Sequence, residues 1–369
     1  MTTGRSVLSD ITAHPRCLVE GFGASSPKLV NVRVLVAPDK FKGTASAAEA
    51  TAALIAGLQA LGHEAIACPL ADGGEGLLDV LGGANRTTTV TGPLGDPVQA
   101  EWRLDGRSAV IEMARASGLE LIGGAEQNDP VAASTYGTGE LLAAALDAGA
   151  KKILVGLGGS ATTDGGLGAL RALEPVHRLR GVELNVACDV GIRFVEAAQV
   201  FAPQKGATPA QVKLLQGRLE RLVQVYENDY GVQVADLVGG GAAGGLAGGL
   251  ACLGASLLSG FDLVADFLGL DELIESVDLV VTGEGFLDAE SFDGKVVGGV
   301  TDLSHRLGVA VVAVVGEAFD AAQSLVPTVS LVEQFGRDRA MSDTLACLRE
   351  VAQVAVEQSS SQRVNESDS

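Results

Sequence analysis

Short glycine-rich segments, most of them with one or two charged residues, recur along this 369-residue chain. They lie at residues 38–43 (PDKFKG), 71–76 (ADGGEG), 158–166 (GGSATTDGG), 203–206 (PQKG), 239–245 (GGGAAGG) and 282–288 (TGEGFLD). Glycine lets the backbone approach an anion closely, lysine neutralises an anion, and aspartate or glutamate can hold a metal ion. These residue types therefore predict an enzyme that handles phosphate groups and a metal ion.

The first two segments each follow a predicted strand. Lys40 and Lys42 come after the first strand, and such a lysine pair can bind a carboxylate or a phosphate, although a solvated turn is an alternative. Asp72 and Glu75 come after the second strand and should lie at the same edge of the sheet. Two carboxylates in a glycine-rich turn rarely serve packing, so we interpret them as metal or substrate contacts.

The segment 156–166 contains several glycines but is not a dinucleotide fingerprint, because the G-x-G-x-x-G spacing is missing. The hydroxyls of Thr162 and Thr163 and the carboxylate of Asp164 follow these glycines, which favours phosphate and Mg²⁺ over a nicotinamide cofactor. The chain has no G-x-x-x-x-G-K-[ST] and no H-R-D motif, so neither a P-loop enzyme nor a protein kinase is indicated.

The charge and composition of the chain indicate which kinds of partner and compartment to expect. The net charge of −20 argues against a nucleic acid or an anionic membrane as partner. The five cysteines are scattered without metal-ligand spacing, which favours a reduced, cytoplasmic compartment. The uncharged stretch 237–261 is long enough to span a bilayer, but its glycines favour a ligand loop that leads into a buried helix. We expect a small-molecule substrate, and a homodimer is left open.

Strand and helix patterns predict an α/β fold, with a discontinuous, Rossmann-like doubly wound domain and a second, inserted α/β domain. The first domain comprises residues 32–84 and 277–357, and the inserted domain comprises residues 85–276. Residues 1–31 lack periodicity and are expected to be disordered, and residues 358–369 are expected to form a flexible tail. The cleft between the two domains should receive the charged loops.

In this order, the segments resemble those of the bacterial glycerate kinase family from about residue 32 to residue 316. The matching pieces are APDKFKG (37–43), ADGGEG (71–76), TGPLGDPV (91–98), IEMARASGLEL (111–121), TYGTGELLAAALDAGA (135–150), GLGGSATTDGG (156–166), ACDV (187–190), VFAPQKGAT (200–208), GGGAAGGL (239–246), TGEG (282–285) and GKVVGGV (294–300). The resemblance implies transfer of the γ-phosphoryl group of ATP to a hydroxyl of D-glycerate with Mg²⁺, on two α/β domains.

Candidate roles follow from the resemblance and from the chemistry of phosphoryl transfer. The expected catalytic residues are Asp189, Asp288, Lys40 and Lys205. The expected substrate- and nucleotide-binding residues are Lys42, Asp72, Gly73, Gly74, Gly158, Gly159, Ser160, Thr162, Gly241, Gly244 and Gly283. The expected metal ligands are Asp164, Glu75 and Glu284.

The chain also departs from the family pattern. Residues 169–198 differ in length and sequence, and Phe286 stands where the family usually has an arginine. An arginine there could clamp an anion, and phenylalanine cannot replace it. Two alternatives therefore stay open: a kinase of another small hydroxy acid, and a non-catalytic ligand-binding protein with the same fold.

Overall fold

The structure is a computed structural model that describes residues 31–74, 76–292, 294–319 and 322–367, with side chains described as far as residue 359. Residues 1–30, and with them nearly all of the segment expected to be disordered, lie outside the described residues. Glu75, an expected metal ligand, also lies outside them.

The strands of the described ranges are given in chain order. They are β1 (Arg33–Pro38), β2 (Glu64–Ala67), β3 (Arg86–Thr91), β4 (Pro97–Asp105), β5 (Ser108–Glu112), β6 (Lys152–Gly156), β7 (Glu183–Ala187), β8 (Ser256–Leu258), β9 (Leu279–Leu287), β10 (Ala310–Ala318) and β11 (Thr328–Ser330).

The α-helices alternate with these strands over much of the chain. They are α1 (Ala47–Ala60), α2 (Leu77–Val80), α3 (Ala114–Ser117), α4 (Tyr136–Asp147), α5 (Leu167–Ala172), α6 (Ala197–Phe201), α7 (Pro209–Tyr230), α8 (Ala242–Cys252), α9 (Gly260–Leu268), α10 (Leu270–Glu275), α11 (Val296–Leu307), α12 (Leu331–Phe335), α13 (Arg337–Ser342) and α14 (Thr344–Ser367). Helix α14 thus continues into the polar segment that we expected to be loose. Within the described ranges, no helix combines the length and apolar character needed to cross a membrane.

Two sheets organise the chain. The first sheet has the order β11-β10-β9-β1-β2, and all of its strand pairs are parallel. This order places strands from the beginning and the end of the described sequence side by side. The second has the order β3-β4-β5-β6-β7-β8, in which the pairs from β5 to β8 are parallel and the pairs β3–β4 and β4–β5 are antiparallel. The predicted α/β class with a discontinuous Rossmann-like part is confirmed. The domain boundaries stay a prediction.

Apolar strands explain how the sheets are buried. In β1 every residue after Arg33 is buried, as expected for a central parallel strand covered on both faces. One face of the first sheet packs against α1 and α14, and the other packs against α9, α10 and α11. Val110 of β5 belongs to the same hydrophobic cluster as the buried residues of α9, α10 and α11, so this cluster reaches the second sheet.

Local signals place the first helix accurately. Ser46 is the N-cap of α1, and its side chain accepts a hydrogen bond from the backbone N–H of Glu49. The Glu49 side chain accepts in return from the N–H of Ser46, which completes a capping box. Thr44, two residues before this cap, donates to the carbonyl oxygen of Phe41 in the preceding turn.

One predicted loop is wrong. The glycine-rich segment 282–288 was expected to be one of the charged loops, but β9 continues as far as Leu287. It stays paired with β10 beyond the end of β1, with Phe286 opposite Glu317 and Leu287 opposite Ala318. The buried Leu287 side chain anchors this extension, because strand periodicity turns it into the core. Gly283 and Gly285 give this stretch the composition of a loop, so the strand could not be predicted from composition.

Candidate active site

Loops of the two sheets meet at the carboxyl ends of their parallel strands. Gly73 lies in the loop after β2, and a Cβ atom added there would lie 2.9 Å from the Cα atom of Gly260, at the start of α9. A Cβ atom added at Gly260 would lie 2.0 Å from the carbonyl oxygen of Asp72. Any other residue would block this approach. Because α9 follows β8 of the second sheet, both sheets line one cleft.

This cleft has a volume of about 490 Å³, within the usual range for a small-molecule site. The predicted site residues that line it are Asp72, Gly73, Gly74, Gly158, Gly159, Ser160, Asp189 and Lys205. Its other walls include Glu120, Cys188, Gln204 and Ala243, to which sequence reasoning gave no role. The structure thus brings together about half of the predicted residues in one place.

Lys205 enters the cleft from the 3₁₀ turn Pro203–Lys205. Its Nζ atom donates to the carbonyl oxygen of Thr162 at 2.6 Å and lies 3.3 Å from Ser160 Oγ. The side chain is buried, and burial lowers the pKa of Lys205 to about 7, against the opposing charge of Asp164. Within the described residues no carboxylate forms an ion pair with Lys205. A buried ammonium of this kind is suited to bind an anion.

Asn128 supports this corner of the cleft. Its Nδ2 atom donates to the carbonyl oxygens of Ala161, at 3.0 Å, and Lys205, at 2.8 Å. These bonds connect the glycine-rich segment after β6 to the backbone that carries the lysine. Sequence reasoning missed Asn128, because a lone asparagine in a loop gives no signal of its partners.

Asp189 follows β7 on another wall of the cleft. Its Oδ1 atom accepts a hydrogen bond from the backbone N–H of Gly260 at 2.8 Å. Burial raises the pKa of Asp189 to about 7, and the charges of Asp72 and Asp262 raise it further, whereas the N–H of Gly260 and Lys295 lower it. A carboxylate with a pKa near neutrality can accept a proton from a hydroxyl group.

Lys40 is connected to the cleft by an ion pair with Asp72, which lines it. Its Nζ atom lies 3.7 Å from Oδ1 of Asp72, and both side chains are about one-third exposed. Asp39, the preceding residue, is buried, and burial raises its pKa to about 6. Lys40 and Lys295 lower the pKa of Asp39, and Asp72 raises it. The end of β1 thus contributes both a cation and a buried carboxyl group.

Glu284 lies in the extended part of β9, near Asp39. Burial raises the pKa of Glu284 to about 7, a hydrogen bond with the Ser291 side chain and the charge of Lys295 lower this pKa, and the charges of Asp39 and Asp288 raise it further. Its Oε1 atom is buried and has no hydrogen-bond partner among the described residues. A buried carboxylate oxygen without a donor is free to accept a ligand.

Asp39 and Lys295 are residues of this region to which sequence reasoning gave no role. Both stand inside segments that carry the family resemblance, at residues 37–43 and 294–300. The sequence motifs thus contained both residues. Nothing in these motifs distinguished Asp39 and Lys295 from the glycines and lysines around them.

Asp288 and Lys42 do not line the main cleft in the part of the chain that the structure describes. Oδ1 of Asp288 accepts from the backbone N–H groups of Glu290 and Ser291, so this carboxylate holds the turn after β9. Lys42 lines a separate small cavity together with Phe286. Neither the catalytic assignment of Asp288 nor the binding assignment of Lys42 is supported by these positions.

The glycines at 241, 244 and 283 allow close packing outside the cleft lining. A Cβ atom added at Gly283 would lie 2.0 Å from a carbonyl oxygen of β10, and one at Gly244 would lie 2.0 Å from the carbonyl oxygen of Thr162. A Cβ atom at Gly241 would meet a backbone carbonyl at 2.4 Å. Ala243 lies in the left-handed turn between these glycines, with φ of 50°, and does line the cleft. Its conformation is uncommon for a residue with a side chain.

The carboxylate of Asp164 is surrounded by hydrogen-bond donors of the protein. Its Oδ2 atom accepts from the backbone N–H groups of Thr135 and Gly168, at 2.9 and 3.2 Å. Its Oδ1 atom accepts from the N–H of Gly166 at 3.1 Å, and the Thr135 hydroxyl lies 2.9 Å from Oδ2 and 3.1 Å from Oδ1. These donors occupy both oxygens, so the geometry does not support Asp164 as a metal ligand. It connects the segment after β6 to the start of α4.

We expect Asp164→Ala to lower the free energy of unfolding by about 3 kcal/mol, because several backbone donors lose a charged acceptor. Equilibrium unfolding in urea measures this. Asp129→Ala is the matched control, since Asp129 caps only the exposed turn at Val131 and Ala132. Unchanged stability of Asp164→Ala together with lost metal binding would restore the predicted metal role.

No group of three or more histidine, cysteine, aspartate or glutamate side chains with metal-binding geometry occurs in the described ranges. In kinases Mg²⁺ is commonly held by one or two carboxylates together with substrate oxygens. Among the predicted ligands, Glu284 fits this arrangement best, because its Oε1 atom lacks a donor and Asp39 lies near it.

Comparison with known proteins adds the decisive observation. The sequence model of the Glycerate kinase family matches residues 34–176 and 174–359. The chain belongs to the glycerate kinase family. The predicted family and enzyme class are thereby confirmed.

Named relatives agree with this placement. The chain is 38% identical to the Glycerate 2-kinase of Escherichia coli (strain K12), over 84% of this chain and 90% of that protein. It is also 38% identical to the Glycerate kinase of Halalkalibacterium halodurans, over 82% of this chain and 92% of that protein. A solved structure of a glycerate kinase 2 from Salmonella typhimurium LT2 superimposes with a TM-score of 0.76 at 35% identity, covering 90% of this chain and 99% of that one.

Proposed function

We propose that this glycerate kinase family member transfers the γ-phosphoryl group of ATP to a hydroxyl of D-glycerate, with Mg²⁺, to give phosphoglycerate. The observation that carries the proposal is that a basic side chain and an acidic side chain line the same cleft. Lys205 supplies a buried cation that forms no ion pair with a carboxylate of the described residues, and Asp189 supplies a carboxylate with a pKa near neutrality. A small acid with a hydroxyl group needs both.

Lys205 and Ser160 would bind the carboxylate of the acceptor. The ammonium already donates to the carbonyl oxygen of Thr162, which fixes its direction, and Ser160 Oγ lies beside it. The N–H groups of the glycines at 158 and 159 are additional candidate donors on the same wall. Binding the acid in this way orients its hydroxyl groups, and orientation contributes strongly to phosphoryl transfer.

Asp189 would accept the proton of the attacking hydroxyl. The N–H of Gly260 holds one oxygen of the carboxylate, which leaves the other available. Lys40, held by Asp72, would contact phosphate oxygens from the first sheet. Bound Mg²⁺ would neutralise phosphate charge, and Glu284 with Asp39 would hold it from the protein side.

The pH dependence of kcat/KM should be bell-shaped with its maximum near pH 7. Activity is lost as pH falls through the pKa of Asp189, because the carboxylate becomes protonated. Activity is also lost as pH rises through the pKa of Lys205, because the ammonium becomes neutral and no longer attracts the acceptor carboxylate. Initial rates between pH 5 and 9 measure both limbs. A rate that stays constant above pH 7 would remove Lys205 from the anion site.

The function is tested by ADP release with ATP, Mg²⁺ and a panel of hydroxy acids, with the product identified by NMR. We expect the highest kcat/KM with D-glycerate, and complete loss of turnover when a chelator removes the metal. A better rate with another acid would favour the alternative substrate class. Absence of turnover with every acid would favour a non-catalytic binding protein. The NMR spectrum also assigns the phosphorylated hydroxyl.

A further inference from the structure

A second, smaller cavity adjoins the main cleft. Its volume is about 220 Å³, and its walls include Glu112, Arg115, Glu120, Leu121 and Gly159. We call it the side cavity. Among the described residues, Glu120 and Gly159 line both the side cavity and the main cleft, and no other residue does so. A ligand too long for one of these spaces can therefore extend into the other past these two residues.

The boundary between the two cavities is formed by backbone and by one acidic side chain. Gly159 has a φ of 69°, a left-handed conformation that favours glycine, and it carries no side chain that would narrow the passage. Its carbonyl oxygen accepts from the N–H of Leu119 at 2.8 Å, which places Glu120 next to it. Glu120 is exposed, and in the described part of the chain no donor or cation contacts its carboxylate. A ligand that crosses the boundary therefore meets an available hydrogen-bond acceptor.

The side cavity is poorly suited to an anion, although Arg115 lines it. The Nε atom of Arg115 lies 3.1 Å from Oε2 of Glu112, and its Nη1 atom lies 3.5 Å from Oε2 of Glu101. The buried Glu112 is itself held in place, because its Oε1 atom accepts from the backbone N–H groups of Gly76 and Leu78. Two carboxylates thus balance the charge of the arginine and orient its guanidinium group.

These walls suit a flat, uncharged ring. A guanidinium group stacks on aromatic faces, and Leu121, which is 41% exposed, supplies an apolar surface beside it. The base of a nucleotide is such a ring. The ribose that follows the base carries hydroxyl groups, which an acidic side chain can accept in nucleotide sites. The negative charge of Glu120 repels phosphate groups, so the phosphates of the same ligand would lie further into the main cleft.

We propose that the side cavity receives the base of the nucleotide and that Glu120 accepts a hydrogen bond from the 2′-hydroxyl of its ribose. The proposal rests on the proposed function, because it assumes that the nucleotide phosphates bind in the main cleft. It adds a part of the substrate that the site recognises. A site of this kind prefers a ribonucleotide over a 2′-deoxyribonucleotide.

The test compares the Kd values of ADP and 2′-deoxy-ADP, measured by isothermal titration with Mg²⁺ in the absence of an acceptor. We expect the wild type to bind ADP at least ~fivefold more tightly, because only ADP has the hydroxyl that donates to a charged acceptor. In Glu120→Ala the two Kd values should agree within about twofold, because the acceptor is gone.

Glu126→Ala is the matched control for Glu120→Ala. It removes an exposed carboxylate from the next 3₁₀ turn, Ala125–Gln127, and Glu126 lines neither cavity. This variant should keep the preference of the wild type for ADP. A loss of preference in Glu126→Ala as large as that in Glu120→Ala would make the effect one of surface charge, and the proposal would fall.

A second variant tests the position of the base. Leu121→Ser removes the apolar surface of the side cavity and should raise the Kd values of ADP and 2′-deoxy-ADP alike, by at least ~threefold. Leu94→Ser is its control, since Leu94 is 39% exposed and lines neither cavity. Unchanged Kd values in Leu121→Ser would show that the base lies elsewhere, against the proposal.

The outcomes also separate this proposal from the proposed function. If the wild type binds both nucleotides equally well, or if Glu120→Ala keeps the preference for ADP, the assignment of Glu120 is overturned and the kinase proposal stands. If the wild type binds neither nucleotide, the kinase proposal fails and this one fails with it. If Glu120→Ala does not fold, Glu120→Met, which also lacks an acceptor oxygen, replaces it in the same comparison.

Discussion

Asp189→Asn is expected to lower kcat by at least about a hundredfold, because an amide cannot accept the proton of the attacking hydroxyl. The substitution keeps the shape of the side chain, and its carbonyl oxygen can still accept from the N–H of Gly260. The thermal unfolding midpoint should therefore change little. Steady-state kinetics with saturating ATP and D-glycerate measures the effect.

Asp288→Asn is the matched control for this prediction. Asp288 lies after β9, and its oxygen accepts backbone N–H groups of the turn that follows, which an asparagine oxygen can also do. We expect kcat within a few-fold of the wild type. Equal losses of kcat in Asp189→Asn and Asp288→Asn would mean that both substitutions lower activity by disturbing their loops. Asp189 would then not be the proton acceptor.

Lys205→Met is expected to raise the KM for D-glycerate at least ~tenfold, because a charge-assisted hydrogen bond to the acceptor carboxylate contributes about 1.5–3 kcal/mol. Methionine keeps the length and apolar stem of the side chain, and the buried charge disappears with its desolvation cost. We expect little change in stability. The KM for ATP should stay close to that of the wild type.

Lys213→Met is a suitable control for Lys205→Met, since it removes the same charge from the exposed surface of α7. It should leave both KM values unchanged. A parallel rise of the KM for ATP and D-glycerate in Lys205→Met would indicate a general collapse of the cleft wall. In that case the carboxylate assignment would have to be abandoned.

Much of the fold could be predicted from the sequence because its strands are apolar and its helices have local signals. The run Val34–Ala37 can be buried on both faces only within a parallel sheet, and Ser46 with Glu49 fixes the start of α1. The extension of β9 could not be predicted in this way. Its residues Gly283 and Gly285 have the composition of a loop, and their pairing depends on β10, which is distant in sequence.

The candidate site was predicted in part for a similar reason. Lysine and aspartate in glycine-rich loops indicate chemistry, and Asp72, Asp189 and Lys205 do line one cleft. The sequence could not show that the oxygens of Asp164 are occupied by backbone donors. Nor could it show that α11 packs against α9 next to the backbone that holds Asp189, because these two helices meet only in the folded chain.

The most direct test of the central claim compares D-glycerate with glycerol, which has the hydroxyl groups but lacks the carboxylate. The ratio of their kcat/KM values is measured in the wild type and in Lys205→Met. If Lys205 binds the acceptor carboxylate in the cleft, the wild type prefers D-glycerate and Lys205→Met loses at least ~tenfold of that preference. An unchanged preference in Lys205→Met would place the acceptor elsewhere and contradict the account.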